Sequence, residues 1–275
     1  MGKVSRLKQE FKKYFLPRTK AVTVPVSEDK LLEGMVTLIT GGASGIGFAI
    51  ANRFVQSGSK VIITGRNEAK LKSAVEKLGS EVSSYIIMDM IDVSDIETKV
   101  ALAFQIYGGV DILINNAGVM STSRFGQTTE EEFDQVLSTN LKGTYFVSQE
   151  VSNVWIKHKI EGKILNISSA SQYRPGTHPY PISKAALASL MKGMAYQLIP
   201  YGIKVNAIAP GPVATAMQKT DDDDSIFNFS NPSHRMAMPD EVANLALFIC
   251  SAKGDLMVGS TYDLTGGGGT ISLNR

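Results

Sequence analysis

The glycine-rich segment at residues 40–47 constrains the fold of this chain more than any other feature. It follows a short apolar run of strand type, residues 35–39, and leads directly into an amphipathic segment, residues 48–55. A strand, a glycine-rich turn and a helix in this order lay a pyrophosphate against the helix N-terminus, where unpaired N–H groups and the positive dipole end face it. The spacing GxxxGxG differs from the general GxGxxG pattern, so an ordinary glycine-rich βα turn is the alternative interpretation.

Apolar runs alternate with helical patterns along the chain, and this alternation predicts an α/β fold with a doubly wound parallel sheet. Seven strands are predicted, at 36–40, 60–64, 84–88, 110–114, 162–167, 203–208 and 260–264. A late helix is predicted to begin at Pro239. The length of 275 residues and the hydrophobic content of 43% favour one domain, residues 34–275, preceded by an extension, residues 1–33.

A tyrosine and a lysine stand four residues apart at Tyr180 and Lys184. Pro181 is tolerated only in the first turn of a helix, so Tyr180 is expected at a helix start and Lys184 one turn further on the same face. A cation beside a phenol favours the phenolate. The pattern therefore predicts a tyrosine that exchanges a proton near neutral pH instead of near its usual pKa of about 10. An exposed tyrosine and lysine without chemical function is the alternative.

These two motifs and four further segments in the same order resemble the classical short-chain dehydrogenase/reductase family, and in particular its 3-oxoacyl-ACP-reductase-like members. The further segments are Asn115-Asn116-Ala117-Gly118, residues 138–143, Ser168-Ser169 and the Pro-Gly loop at 209–215. The resemblance runs from about residue 32 to about residue 268. It implies a single Rossmann-type domain and an NAD(P)-dependent oxidoreductase acting on CH–OH groups.

The resemblance also implies a catalytic set of Asn140, Ser169, Tyr180 and Lys184. Tyr180 would be the acid in reduction and the base in oxidation, and Ser169 would position the substrate oxygen. Lys184 would lower the tyrosine pKa and bind the nicotinamide ribose, and Asn140 would hold a water that links the lysine to solvent. The family places its serine some twelve or thirteen residues before the tyrosine. Ser169 is eleven away and Ser168 twelve, so Ser168 stays the alternative.

The cofactor-binding set implied by the resemblance extends over most of the chain. It comprises Gly41, Ser44, Gly45, Ile46, Gly47, Arg66, Asp92, Val93, Asn116, Ala117, Gly118, Tyr180, Lys184, Pro210, Val213 and Thr215. NADP(H) is favoured because Gly65 stands where NAD enzymes usually carry a carboxylate, and the Arg66 guanidinium can fork onto a phosphate. NAD(H) is the alternative, because Ser44 stands where many NADP members carry a basic residue. Asp92 and Val93 are expected at the adenine.

The leading hypothesis is hydride transfer between NADP(H) and a ketone or secondary alcohol. The alternatives are an NAD-dependent sugar or polyol dehydrogenase of the same family and, from another class, a catalytically silent dinucleotide-binding scaffold. The substrate loop is expected at about 213–238, and its side chains Met217, Ile226, Phe227, Phe229 and Met236 predict a partly apolar lid. The resemblance implies a homotetramer or homodimer formed through helices near 129–152 and 180–199.

Charge is distributed unevenly along the chain. Residues 1–20 carry a net charge of +6, whereas the remainder has 21 basic and 25 acidic side chains. No basic groove for nucleic acid is therefore expected in the domain. Val4, Leu7, Phe11 and Tyr14 have helical spacing, which predicts peripheral membrane contact, packing on another subunit, or a solvated arm.

Two further features bear on the compartment and on metal binding. Cys250 is the only cysteine, which excludes a disulfide within the chain and fits a reducing cytoplasmic setting. We expect no transmembrane helix and no secretory signal, because no apolar run reaches about 18 residues and the N-terminus has no apolar h-region. Residues 221–224 are four aspartates, for which a solvated mobile loop is favoured over a metal site. No metal is expected.

Overall fold

The computed structural model describes residues 30–121, 123–215, 226–228 and 231–269. Its centre is a seven-stranded parallel sheet in the order β3-β2-β1-β4-β5-β6-β7. The strands are β1 Val36–Thr40, β2 Lys60–Gly65, β3 Ser83–Ile87, β4 Ile112–Asn115, β5 Lys163–Ile167, β6 Lys204–Pro210 and β7 Thr261–Leu264. The predicted doubly wound sheet is confirmed, and every strand limit lies within two residues of the predicted one.

Seven helices of the described ranges cover the two faces of the sheet. They are α1 Gly45–Gln56, α2 Glu68–Leu78, α3 Val93–Ile106, α4 Glu130–Leu137, α5 Thr144–His158, α6 Pro179–Leu198 and α7 Pro239–Cys250. A π-helical segment, Ser138–Gly143, joins α4 to α5, and a 3-10 turn, Ala170–Tyr173, precedes α6. Side chains alternate between two cores: in β1, Ile39 packs beneath α1 and α7, and Leu38 packs on the side of α3 and α5.

The sheet positions the site through a reversal of strand order at its centre. From β1 the chain moves outward to β2 and β3, then returns to place β4 on the other side of β1. The connections after β1 and β4 therefore leave in opposite directions, and a crevice opens at the carboxyl ends of these strands. Thr40 and Asn115 are paired at this edge. The segments after β1, β4, β5 and β6 carry the motifs that the sequence analysis selected.

The folded unit begins earlier than predicted. Leu32 is fully buried in the core with Phe54 and Val61, and its N–H donates to the Ser57 carbonyl at 2.8 Å. The predicted boundary between residues 33 and 34 is therefore too late, because an apolar side chain of the supposed extension belongs to the core.

Several predicted features lie outside the described residues. These are the basic amphipathic segment within residues 1–29, the aspartates at 221–224, and Met217 and Phe229 of the expected substrate loop. Cys250 is buried as predicted, and burial raises the pKa of its thiol to about 12. In the ranges that the structure describes, the helices are too short or too polar to cross a membrane.

Candidate active site

The turn after β1 packs against the turn after β4 so closely that side chains are excluded. Gly41 has φ of +65°, and a Cβ there would lie 2.9 Å from the Ala117 Cα. A Cβ on Gly47 would collide with the side-chain amide of Asn116 and with the Gly41 carbonyl. A third glycine, Gly42, is held against Ile63 in the same way. These glycines are therefore required by backbone approach as well as by turn geometry.

Hydrogen bonds lock the two turns together. The backbone N–H groups of Asn116 and Ala117 donate to the Thr40 hydroxyl at 3.0 and 3.1 Å. The Asn116 side-chain amide donates to the carbonyls of Thr40 and Gly41 at 3.1 and 3.0 Å. The edge of the crevice is thus held together by main chain, the Thr40 hydroxyl and the Asn116 amide.

The N-terminus of α1 opens onto this edge. Ser44 occupies the N-cap position, but its side chain forms no capping hydrogen bond, and the first turn, from Gly45 to Phe48, has no acidic side chain. The first-turn N–H groups and the positive dipole end therefore face a cavity of about 220 Å³ whose wall includes Gly41 and Ser44. A glycine cradle at a helix N-terminus fits the diphosphate of a dinucleotide.

The far end of this cavity is lined by residues at the ends of β2 and β3. Gly65 and Arg66 lie there as predicted, and three charged residues in all reach it: Arg66, Lys70 and Asp89. Lys70 and Asp89 were not selected from the sequence. Lys70 lies in the first turn of α2, where the Asn67 side chain caps its N–H at 2.9 Å.

The predicted adenine contacts, Asp92 and Val93, do not line the cavity. β3 ends at Ile87, so Asp89 and Met90 directly follow the strand and form the wall. Asp92 is the N-cap residue of α3, and its carboxylate accepts a hydrogen bond from the Ser94 hydroxyl at 2.5 Å. The cavity wall therefore lies three residues before the predicted pair, because the turn between β3 and α3 is longer than expected.

Tyr180 and Lys184 share one face in the first turns of α6, where Pro179 and Pro181 are tolerated. The Lys184 Nζ lies 5.7 Å from the centroid of the Tyr180 ring and donates to the Ile167 carbonyl at the end of β5 at 2.9 Å. Burial lowers the pKa of Lys184 to about 8. The lysine is therefore still mostly charged at neutral pH.

The pKa of Tyr180 moves in the direction opposite to the one predicted. Burial of the phenol raises the pKa above its usual value, and the hydrogen bond with Ser169 lowers it only in part. Lys184 does not lower it in this arrangement, because the ammonium lies over the ring and bonds the Ile167 carbonyl. Tyr180 is consequently a protonated phenol at neutral pH.

The two candidate serines have different surroundings. The Ser169 side chain is within hydrogen-bonding reach of Tyr180, and its hydroxyl also accepts from the Ser171 N–H at 3.1 Å. The Ser168 hydroxyl instead donates to the Gln172 side chain at 2.8 Å. Both serines line the second cavity, but only Ser169 contributes to the pKa of the Tyr180 phenol, which favours Ser169.

Asn140 lies in the π-helical segment between α4 and α5 and is nearly fully buried. Its amide oxygen accepts from the Val119 N–H at 2.8 Å, and its amide nitrogen donates to the Val119 carbonyl and the Ser183 hydroxyl at 3.0 and 3.1 Å. The side chain thus ties the loop after β4 to α6. A Cβ on Gly118 would lie 3.3 Å from the Asn140 oxygen and 3.8 Å from the Lys184 Nζ, so Gly118 leaves both groups accessible to each other.

A second cavity of about 220 Å³ lies beside the candidate catalytic residues. Its walls bring together six predicted residues and seven others: Ile46, Ser169, Tyr180, Pro210, Val213 and Thr215, with Met120, Ser168, Ala170, Ser171, Arg174, Gly211 and Pro212. The first residues of α1 contribute to both cavities, since Ser44 lines the first and Ile46 the second. In the part of the chain that the structure describes, no group of three or more His, Cys, Asp or Glu side chains could hold a metal ion.

Comparisons with known proteins agree with this geometry. A sequence model described as short chain dehydrogenase matches residues 35–225. Galactitol 2-dehydrogenase of Agrobacterium fabrum is 34% identical over 251 residues, covering 86% of this chain and 98% of that protein. The folds of two solved structures, described next, match the fold of this chain with a TM-score of 0.79 each. The 3-ketoacyl-(acyl-carrier-protein) reductase from Brucella melitensis, complexed with NADH, is 31% identical and covers 86% of this chain and 99% of its own. A variant of actinorhodin polyketide ketoreductase with NADPH is 28% identical and covers 86% and 98%.

Proposed function

The chain belongs to the short-chain dehydrogenase family, and we propose that it transfers a hydride between NADP(H) and a ketone or secondary alcohol, with Tyr180 as the acid/base. It is an oxidoreductase of a family whose relatives act on CH–OH groups. The observation that supports the proposal best is the position of Ser169, Tyr180 and Lys184. Ser169 and Tyr180 line one cavity, and Lys184 lies behind Tyr180. This cavity shares the N-terminus of α1 with the glycine cradle.

The reaction needs a proton donor at the substrate oxygen, because hydride addition to a carbonyl carbon leaves negative charge there. The bound dinucleotide supplies the hydride in reduction and accepts it in oxidation. Tyr180 gives its hydroxyl proton to the oxygen and later recovers one from solvent, while Ser169 donates a hydrogen bond to the same oxygen. The raised pKa of Tyr180 keeps the phenol protonated, which suits an acid in reduction.

Lys184 and Asn140 support the tyrosine in different ways. The ammonium of Lys184 stabilises the phenolate that forms when Tyr180 loses its proton. We propose that the same ammonium also binds the nicotinamide ribose. Asn140 is a positioning residue, since its amide bonds Val119 and Ser183 on the two sides of the catalytic face. In this proposal its predicted water relay runs past Gly118 to Lys184.

The proposed dinucleotide occupies both cavities, with its diphosphate at the glycine cradle. We keep the predicted residues and replace Asp92 and Val93 by Asp89 and Met90 at the adenine. On the nicotinamide side the residues are Ile46, Pro210, Val213, Thr215, Tyr180 and Lys184.

Preference for NADP(H) is supported by the charges at the adenosine end. Arg66 and Lys70 line the cavity, and their two cationic side chains can bind a 2′-phosphate through charge-assisted hydrogen bonds. Asp89 in the wall of the same cavity is the feature that favours NAD(H). The solved relatives include one complex with NADH and one with NADPH, so the preference rests on this chain's own residues.

Fluorescence titration with NADPH and NADH tests the cofactor assignment. We expect tighter binding of NADPH, and a loss of about tenfold or more in NADPH affinity in Arg66→Ala and in Lys70→Ala, with little change for NADH. Lys72→Ala is the matched control, because Lys72 lies on the same helix but pairs with Glu68 at 3.0 Å. Equal or tighter NADH binding would contradict the preference, and binding of neither would contradict both the proposed reductase and the dinucleotide-binding scaffold.

A second candidate function, oxidation of a sugar or polyol, is favoured by the similarity to galactitol 2-dehydrogenase. The hydroxyl-rich wall formed by Ser168, Ser169 and Ser171 supports it. Rates with a set of polyols and NAD⁺, compared with ketones and NADPH, would separate the two candidates.

The proposed assembly is a homotetramer or homodimer formed through α5 and α6. A surface cavity of about 710 Å³ between these helices is lined by Tyr145, Ile156, Leu190 and Met194, among others. A groove with both apolar and polar side chains suits a second copy of the chain, and sedimentation of the purified protein would measure the assembly. A cytoplasmic compartment is supported by Cys250, a buried free thiol. Membrane contact through residues 1–20 is tested by liposome binding after deletion of residues 1–30.

A further inference from the structure

Arg174 carries chemistry that the proposed function has not yet used. Among the described residues that line the catalytic cavity, it is the only one with a formal charge. Its side chain has no hydrogen-bond or ion-pair partner in the described part of the chain, and it is exposed to solvent. A guanidinium at the wall of a reaction cavity, without a protein partner, is available to a ligand.

The position of Arg174 relative to the catalytic serine is set by one hydrogen-bonded turn. The Ser171 N–H donates to the Ser169 hydroxyl at 3.1 Å, and the Arg174 N–H donates to the Ser171 carbonyl at 3.1 Å. The Tyr173 hydroxyl ties the turn to Asp263 on β7 at 2.9 Å. These bonds fix the main chain of Arg174 in the wall of the cavity, close in the chain to Ser169, so its guanidinium reaches the cavity from an ordered turn.

The rest of the cavity limits what Arg174 can bind. The remaining lining is apolar or hydroxyl-bearing, with Ile46, Met120, Pro212 and Val213 forming much of the apolar part. Among the described residues, this lining includes no carboxylate that would compete for the guanidinium, and the charged Lys184 lies behind Tyr180. A small molecule with an oxyanion at one end and a carbonyl at the other matches this arrangement of charge.

We propose that Arg174 binds an oxyanion of the substrate, a carboxylate or a phosphate, and so selects small ketones that carry negative charge. The proposal rests on the proposed reductase function. A planar guanidinium binds either group through two parallel N–H donors, and this contact would turn the carbonyl toward Ser169 and Tyr180. Arg174 is a specificity residue in this scheme and takes no part in proton or hydride transfer.

The experiment compares matched pairs of substrates in the full chain with NADPH. One pair is 3-oxobutanoate and its methyl ester, and the other is dihydroxyacetone phosphate and dihydroxyacetone. We expect the charged member of one pair to have a kcat/KM at least tenfold higher, and the pair that shows this distinguishes carboxylate from phosphate. In Arg174→Gln the preference should fall by about 10- to 100-fold, while the rate with the neutral member changes little.

Two variants make the readout specific. Arg174→Lys keeps the charge without the fork and should retain part of the preference. Arg124→Gln removes the same charge from an exposed arginine that lines neither cavity, and it should leave the preference unchanged.

The remaining outcomes overturn one proposal or the other. Equal or better use of the neutral members, or a preference that persists in Arg174→Gln, overturns the role of Arg174 and leaves the reductase function standing. Reduction of none of the four compounds by protein that binds NADPH contradicts the proposed reductase function for small ketones, and the inference falls with it.

Discussion

The two sides of the crevice differ in which atoms form them: glycine turns on one side and polar side chains on the other. On the dinucleotide side, Gly41 and Gly47 meet the Asn116 turn so closely that an added methyl group has no space. On the side proposed to be catalytic, the candidate groups are side-chain atoms of Ser169 and Tyr180, held by a turn and a helix. The first side should therefore be sensitive to added volume, and the second to the loss of single polar atoms.

The largest expected effect separates chemistry from binding. Tyr180→Phe removes one hydroxyl, and we expect turnover to fall by about 10²- to 10⁴-fold because the proton donor is lost. Cofactor affinity, measured by fluorescence titration, should stay within about threefold, since the glycine cradle is untouched. Retention of a tenth of the turnover would remove Tyr180 from the acid/base role.

A smaller loss should distinguish the two serines. Ser169→Ala is expected to lower kcat by about 100-fold, because it removes a hydrogen bond to the reacting oxygen. Ser168→Ala is the matched control and should change kcat little, since its hydroxyl is bonded to Gln172 at 2.8 Å. If Ser168→Ala causes the larger loss, the assignment of the catalytic serine is reversed.

Added volume on the dinucleotide side should produce the opposite pattern. The Cβ of Gly47→Ala would collide with the Asn116 amide, so we expect weaker cofactor binding and a loss of about 1–3 kcal/mol in the free energy of unfolding. Gly109→Ala is the control, because a Cβ there meets nothing within 4 Å. Thermal unfolding and cofactor titration measure both effects. Equal behaviour of the two variants would show that the turns adjust to added volume.

The smallest effect is a pH dependence that belongs to the catalytic side alone. Burial lowers the pKa of Lys184 from 10.5 to about 8, so its charge is present below pH 8 and lost above it. Tyr180, whose pKa is raised, remains protonated there. We expect kcat/KM for reduction to fall above about pH 8, by up to tenfold per pH unit, with a smaller change in cofactor affinity. A decline that begins only near pH 10 would contradict a role for the lysine charge.

Protein stability provides the check on that pH profile. Between pH 8 and 10.5 the unfolded chain binds a proton at Lys184 that the folded chain does not, so the contribution of this group to the free energy of unfolding rises with pH. Activity that falls while the melting temperature is maintained therefore reports the site, and a parallel fall in both would point to unfolding.

The difference between the two sides also explains what could be predicted from the sequence. The β1–α1 unit is local, and its glycines and hydrophobic periodicity specify strand, turn and helix within about 20 residues. Lys70 and Arg174 were missed because their access to the cavities depends on how α2 and the turn after Ser169 lie against the sheet. The spacing of residues along the chain does not indicate which side chains reach the cavities.

Two specific errors have the same origin. Asp92 was chosen in place of Asp89 because the end of β3 was predicted one residue late and the following turn was taken to be short. The direction of the Tyr180 pKa was wrong because the helix spacing predicted contact with Lys184 but not burial of the phenol. Both depend on packing among distant segments, which only the folded structure provides.

The central position of β1 also sets an order of assembly during synthesis. The Gly41 carbonyl is held by Asn116, so the dinucleotide side completes its contacts once the chain has been made to about the end of β4. The turn before α6 is tied by Tyr173 to Asp263, and the Gly211 N–H donates to the Leu264 carbonyl at 3.0 Å, so the catalytic side waits for β7. A growing chain emerges N-terminal part first. The nascent protein therefore completes the glycine cradle proposed for the diphosphate well before it completes the catalytic side.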